Sequence, residues 1–137
     1  MGFTRYALTD YNFILTKVVG DIADIDLLEH VQLLNGETQG LKNLLELADC
    51  RDITSMDRIT VQGTVDSSQA EINKPGGLLA LLITDSPLMF GMARAYQTFA
   101  AHKRQNVEIF KDLDEALAWL TDDADVHESL KKFVGSV

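Results

Sequence analysis

The sequence predicts an α/β domain, with strands separated by amphipathic helices and gathered into a parallel or mixed sheet. Three observations carry this. Leu78–Ile83 is an apolar run bounded by Gly76-Gly77 and Thr84, as in a strand buried on both faces. Asp85-Ser86-Pro87 then has the chemistry of a helix start, with a capping side chain followed by a proline where no N–H is needed. Beyond it, the short strand pattern Val107–Phe110 leads directly into Leu113-Asp114-Glu115-Ala116-Leu117-Ala118-Trp119-Leu120, an amphipathic helix. Strand and helix alternate with little padding, which is the order of βαβ units.

The elements follow in order. Tyr6–Thr9 and Tyr11–Val19 read as two extended segments with a turn at Asp10, and Gly20 is expected to end the second. Asp24 or Asp26 can cap a helix whose Ile25, Leu28, Val31 and Leu34 recur at helical spacing, up to the stop signal Asn35-Gly36. Leu44–Ala48 reads as a buried strand and Asp49–Asp57 as a polar loop at its carboxyl end, the edge where open α/β sheets hold ligands. Ile59–Glu71 fits neither period cleanly, and Gly63 interrupts it; a weak helix is expected there. Asn73-Lys74-Pro75-Gly76-Gly77 is a turn. The helix from Pro87 is expected to reach about Lys103, the helix from Asp112 to reach about Leu120, and Asp125–Phe133 to form a further docked helix. Residues 1–137 thus read as a single domain, with residues 121–137 as a C-terminal helical extension.

Composition narrows the function classes. With 46% hydrophobic and 24% charged residues, the 137-residue chain matches a folded globular domain rather than a disordered one. The single cysteine, Cys50, excludes an internal disulfide framework and fits a reducing, cytoplasmic setting. The longest apolar run is too short to span a bilayer, and residues 1–10 lack the order of a signal peptide. A net charge of −9 argues against nucleic-acid binding, whose affinity depends on a basic surface. Only residues 86–107 are basic, through Arg94, Lys103 and Arg104. The simplest expectation is that these cations pair with neighbouring carboxylates; the alternative is a site for an anionic head group.

The stretch Met92-Ala93-Arg94-Ala95-Tyr96, continuing through Asn106-Val107-Glu108-Ile109-Phe110-Lys111-Asp112 into Leu113–Leu120, resembles the bacterial SpoIIAA-like family, small relatives of STAS domains. The strand-to-helix close is its most specific part, and the general topology covers about residues 6–120. The resemblance implies a STAS/SpoIIAA-like mixed sheet of four to five strands with helices mainly on one face. It also implies a binding or regulatory module, not an enzyme, in a family whose shape has been compared with lipid-binding folds. Anti-sigma-factor antagonists carry a phosphorylatable serine in an Asp-Ser-Ser-Gly-like turn. The corresponding stretch here is Thr54-Ser55-Met56-Asp57-Arg58, and Asp66-Ser67-Ser68 is followed by Gln69.

Several candidate sites have simpler explanations. Asp21, Asp24 and Asp26 lack the distant glutamate of a calcium loop and are expected to cap a helix. His30, His102 and His127 fall on separate elements without zinc spacing, so no metal is expected. No nucleophile elbow or phosphate cradle occurs, and neither catalysis nor a cofactor is expected. The leading candidate is the Pro87 helix. Met89, Met92, Tyr96 and Phe99 form one stripe, with Phe90 and Arg94 on another face. Core packing is the first explanation of that stripe; the functional one is a site for a small apolar or amphiphilic ligand on Met89, Phe90, Met92, Arg94 and Tyr96, two of them adaptable methionines. A second candidate is a loop site of Arg51, Asp52, Ser55 and Asp57, with Ser55 as the phosphorylation position if the protein is a partner-switch regulator. The expected partners are accordingly a small ligand or a regulatory protein, with peripheral membrane contact and a homodimer as further options.

Overall fold

The structure, a computed structural model, describes residues 2–104 and 106–137. Five strands form one sheet in sequence order: β1 (Gly2–Leu8), β2 (Phe13–Ala23), β3 (Leu45–Arg58), β4 (Leu78–Leu82) and β5 (Val107–Phe110). β1 and β2 are antiparallel, joined across a short 3-10 turn at Thr9–Tyr11, and every later pairing is parallel. The parallel crossovers run through α1 (Asp24–Thr38), α2 (Val61–Ala70) and α3 (Pro87–Phe99). α4 (Leu113–Leu120) and α5 (Ala124–Gly135) follow the last strand. The α/β expectation therefore holds, with a five-stranded mixed sheet. Three helices cover one face and two the other, because neighbouring parallel strands joined by crossovers of one hand must carry their helices on one side.

Sequence chemistry accounts for the helix boundaries. Ser86 Oγ accepts from Met89 N at 3.2 Å with Pro87 next in line, and Asp112 accepts from Glu115 N at 3.0 Å. Asp123 caps α5 through Asp125 N and Val126 N. α3 stops at Phe99, short of Lys103, because Arg104 N bonds back to Ala100 O in a closing turn that carries the Arg104 side chain inward.

Residues 49–57 depart from expectation: they are strand, not loop. β2 likewise continues past Gly20 to Ala23. In the β2–β3 ladder Lys17 faces Asp49 but Val19 faces Asp52, Gly20 faces Ile53 but Asp21 faces Ser55, and Ala23 faces Arg58. Each step adds one residue to β3, so the strand bulges repeatedly. Gly20, at φ +88°, takes the left-handed conformation that this irregular pairing needs. The bulges break the two-residue alternation, and Cys50, Ile53 and Met56 line one cavity at a spacing of three.

The Ile59–Glu71 segment is a true helix over Val61–Ala70. Gly63 does not interrupt it. A side chain at that position would collide with the Asp24 carboxylate, which accepts from Thr60 N at 2.8 Å and Thr60 Oγ1 at 2.6 Å. Thr60 Oγ1 in turn accepts from Gly63 N at 2.9 Å. The three clustered aspartates have separate roles. Asp26 accepts from Ala23 N to cap α1, Asp24 ties α1 to the start of α2, and Asp21 pairs with Arg58.

On the α4–α5 face, Phe13, Leu15, Leu47, Ala80 and Leu82 pack against Leu117, Leu120, Leu130 and Val134. Each fully buried side chain of this kind contributes roughly 1.5–3 kcal/mol relative to exposure. The C-terminal extension therefore docks on its own chain, where Phe133 meets the Phe13 ring edge-on at 6.1 Å.

Candidate functional site

Between the sheet and α1–α3 the packing opens into a cavity of about 110 Å³. Strand alternation points Thr16, Val18, Glu46, Ala48, Leu79 and Leu81 into it, and α3 contributes Met89, Met92, Ala93 and Tyr96. Several partly exposed lining residues, among them Phe3, Leu27, Ile53, Met56 and Met92, gather toward the carboxyl ends of the parallel strands. The polar lining residues Thr16, His30, Glu46, Thr64, Glu71 and Tyr96 are buried; Thr64 lies against Met92 and His30 against Phe3, while Glu46 stands near the start of β3. The cavity is thus an apolar space leading from the carboxyl edge of the sheet down to a charged floor.

That floor is a network of groups almost without solvent exposure. Glu46, 2% exposed, accepts from Thr16 Oγ1 at 2.8 Å and from Arg104 Nη1 at 2.9 Å. Glu71 accepts from Tyr96 OH at 2.6 Å, Lys74 Nζ at 2.7 Å and Arg104 Nη1 at 3.4 Å. Lys74 also reaches Asn35 Oδ1 at 3.0 Å. Two carboxylates are thereby matched by two cations, as burial of charge requires. Arg104 Nη2 and Ser67 Oγ are buried without a partner among the described residues.

The titration shifts follow from this geometry. Burial pushes the Glu46 carboxyl up, but the Arg104 charge, His30 and the hydrogen bonds from Arg104 and Thr16 outweigh it and hold the group below its usual range. Burial lowers Arg104, yet Glu46 and Glu71 more than reverse this and raise it. Tyr96 is raised well above its ordinary value by burial and then by Glu71. Lys74 is lowered by burial against the pull of Glu71. Burial also lowers His30, so its imidazole is neutral near pH 7; nearby Glu46 opposes and Arg5 reinforces the shift. Arg5 Nη1 lies 3.5 Å from His30 Nδ1 and can only donate, so the ring proton belongs on Nε2. Nε2 faces Glu46 Oε2 at 3.8 Å, beyond direct hydrogen-bond distance. Phe3 stacks on the ring at 4.7 Å and fixes its plane.

The residues singled out from the sequence divide. Met89, Met92 and Tyr96 line the cavity, whereas Phe90, 45% exposed, and Arg94, which bonds Gln97, lie on the outer side of α3. Arg94 therefore does not join the apolar stripe. The basic island disperses, and pairing with carboxylates holds for one of its three cations: Arg104 turns inward to Glu46 and Glu71, while Lys103 donates to the Glu71 backbone carbonyl at 3.2 Å and Arg94 to the Gln97 side chain. Arg104 is not open to an anionic head group. Of the second set, Arg51 forms a two-pronged pair with Asp49, and Asp52 and Asp57 are exposed on β3. Ser55 Oγ accepts from Asp57 N at 3.2 Å. These four alternate along β3 with Cys50, Ile53 and Met56 but are not part of the cavity wall. Cys50 does line it, and burial, with Asp49 and Glu46, pushes its thiol up to about 12.

Sequence reading missed Glu46, Glu71, His30, Thr16 and the inward turn of Arg104. One signal was available: Glu46 interrupts the apolar run Leu44–Ala48, and a carboxyl on a buried strand requires partners. Its hydrogen-bond partners Thr16 and Arg104 lie 30 and 58 residues away along the chain and carry no local mark.

No protein-family model matches the chain, and no curated protein matches it by sequence. Among solved structures it is similar to an uncharacterised protein of the DUF3478 family with a SpoIIAA-like fold from Shewanella loihica PV-4. The superposition has a TM-score of 0.50 at 15% identity and covers 88% of this chain and 93% of that chain. The fold is SpoIIAA-like, as the resemblance implied. Among the described residues, no helix is long and apolar enough to cross a membrane.

Proposed function

We propose that this protein is a non-catalytic binding module that takes a small, mainly apolar molecule into the cavity between the sheet and α1–α3. The observation carrying this reading is the cavity itself, an unfilled space walled by Met56, Met89, Met92, Ile53 and Ile83 in a domain whose other face is close-packed. Methionine walls adapt to different shapes. Apolar cavities of about 150 Å³ accept benzene, so a space of about 110 Å³ suits a short chain as it stands and a single ring once the methionine walls shift. Binding is favoured over catalysis because the polar groups at the floor already hold one another, and the Cys50 thiol is protonated at neutral pH.

Partner switching through Ser55 has weaker support, since its hydroxyl lies within an irregular strand and is engaged by the Asp57 amide. Toluene, as an apolar probe, should raise the melting temperature in proportion to its occupancy. Ala93→Leu, which projects into the space, should abolish that rise while the variant stays folded. Absence of any toluene effect on the unaltered protein would remove the cavity reading.

A further inference from the structure

An apolar cavity alone leaves the chemistry of the ligand's polar end open, and the cavity floor specifies it. Glu46 and His30 both line the cavity, with Glu46 Oε2 and His30 Nε2 3.8 Å apart and no direct bond between them; Oε2 accepts from Thr16 Oγ1 at 2.8 Å and keeps a second lone pair. One is an acceptor. The other carries a proton, because Arg5 occupies Nδ1 as a donor and the buried ring is neutral. An oxygen placed between two such atoms can accept from His30 Nε2 and donate to Glu46 Oε2, and it must bear one hydrogen to do both.

We infer that the cavity recognises a neutral hydroxyl group on an otherwise apolar molecule, bridged between His30 Nε2 and Glu46 Oε2; this rests on the cavity being the binding site. A carboxylate head could accept from His30 but would face Glu46 with like charge, and Arg104 and Lys74 are turned away from the cavity, engaged by Glu46 and Glu71. An ammonium head could donate to Glu46 but has no lone pair for His30. It would also enter a site whose carboxylates are already matched by cations. Of these three heads, the hydroxyl alone satisfies both atoms without introducing a charge.

The test compares four single-ring probes by calorimetric titration of the full chain at pH 7.5: toluene, benzyl alcohol, benzylamine and benzoate. Benzyl alcohol is expected to bind at least threefold more tightly than toluene and at least tenfold more tightly than either charged probe. His30→Phe should abolish the advantage of benzyl alcohol while toluene still binds, and His30→Gln, which keeps a donor near the Nε2 position, should restore part of it. Circular dichroism establishes that both variants are folded; should His30→Phe not fold, the probe order on the unaltered protein together with His30→Gln decides. Benzoate or benzylamine binding as tightly as the alcohol would overturn the hydroxyl assignment while leaving the cavity reading intact. No binding by toluene or benzyl alcohol would overturn both.

Discussion

On its α4–α5 face the sheet presents Phe13, Leu15, Leu47, Ala80 and Leu82 to apolar helices, forming one continuous cluster. The same central strands present Thr16, Glu46, Ala48 and Leu79 to α1–α3, where the apolar contacts divide into smaller clusters around a cavity and a set of buried charges. A close-packed face supplies stability through area removed from water. A face with unfilled space and matched charges gives up part of that gain, because each buried charge must recover its lost hydration from a partner. One side of the sheet is thus close-packed, and the other leaves a cavity over a set of matched buried charges.

The comparison breaks most readily at Arg104. Arg104→Met leaves Glu46 and Glu71 buried with one cation fewer, and is expected to cost about 3–5 kcal/mol in urea unfolding. A loss under about 1 kcal/mol would mean that the cavity floor is hydrated and not a buried network. On the opposite face, Leu117→Ala should cost about 2–5 kcal/mol, as a methyl-lined void opens in close packing. Met92→Leu at the cavity wall should stay below about 1.5 kcal/mol, since its neighbours already border free space. A cost at Met92 as large as that at Leu117 would erase the distinction between the open and the close-packed apolar walls.

A smaller effect concerns pH. His30 has a folded-state pKa below its ordinary 6.5, so just under that value the unfolded chain takes up a proton that the folded protein refuses. Stability is therefore fully present above about 6.5 and declines as pH falls toward the folded pKa, by at most about 1.4 kcal/mol per pH unit. Glu46, also lowered, adds its own loss only below about 4.5. Between pH 7.5 and 5.5, His30→Phe should flatten the decline seen in urea unfolding; an unaltered slope would assign it to other groups. The smallest changes belong to the outer side of α3, where Phe90→Asp and Arg94→Glu should each alter stability by less than about 0.5 kcal/mol and leave toluene binding unchanged. Loss of binding in either would return the site to that surface.

Legibility in the sequence followed how local each determinant was. The β4–α3–β5–α4 run was readable because its signals sit within a few residues: an apolar strand, Ser86-Pro87, and the Asp112 cap. The β3 extension was not, because three added residues shift its facing pattern and its polar side chains resemble a loop. Gly63 has the look of a helix breaker in the sequence, and only the Asp24 carboxylate, 39 residues earlier in the chain, explains why a glycine stands there. The methionines of α3 are conspicuous, but periodicity alone does not tell a stripe that fills a core from one that borders a cavity.

The α/β class, the order of strands and helices, the helix starts at Ser86 and Asp112 and the SpoIIAA-like resemblance all rest on neighbours along the chain, and the amino-acid order was enough to specify them. Three features needed the packed molecule: the inward turn of Arg104, the 3.8 Å separation of Glu46 and His30, and the incomplete filling of one sheet face. Side-chain periodicity states which face a residue occupies; pairing of charges and unfilled volume depend on what the other elements bring to that face.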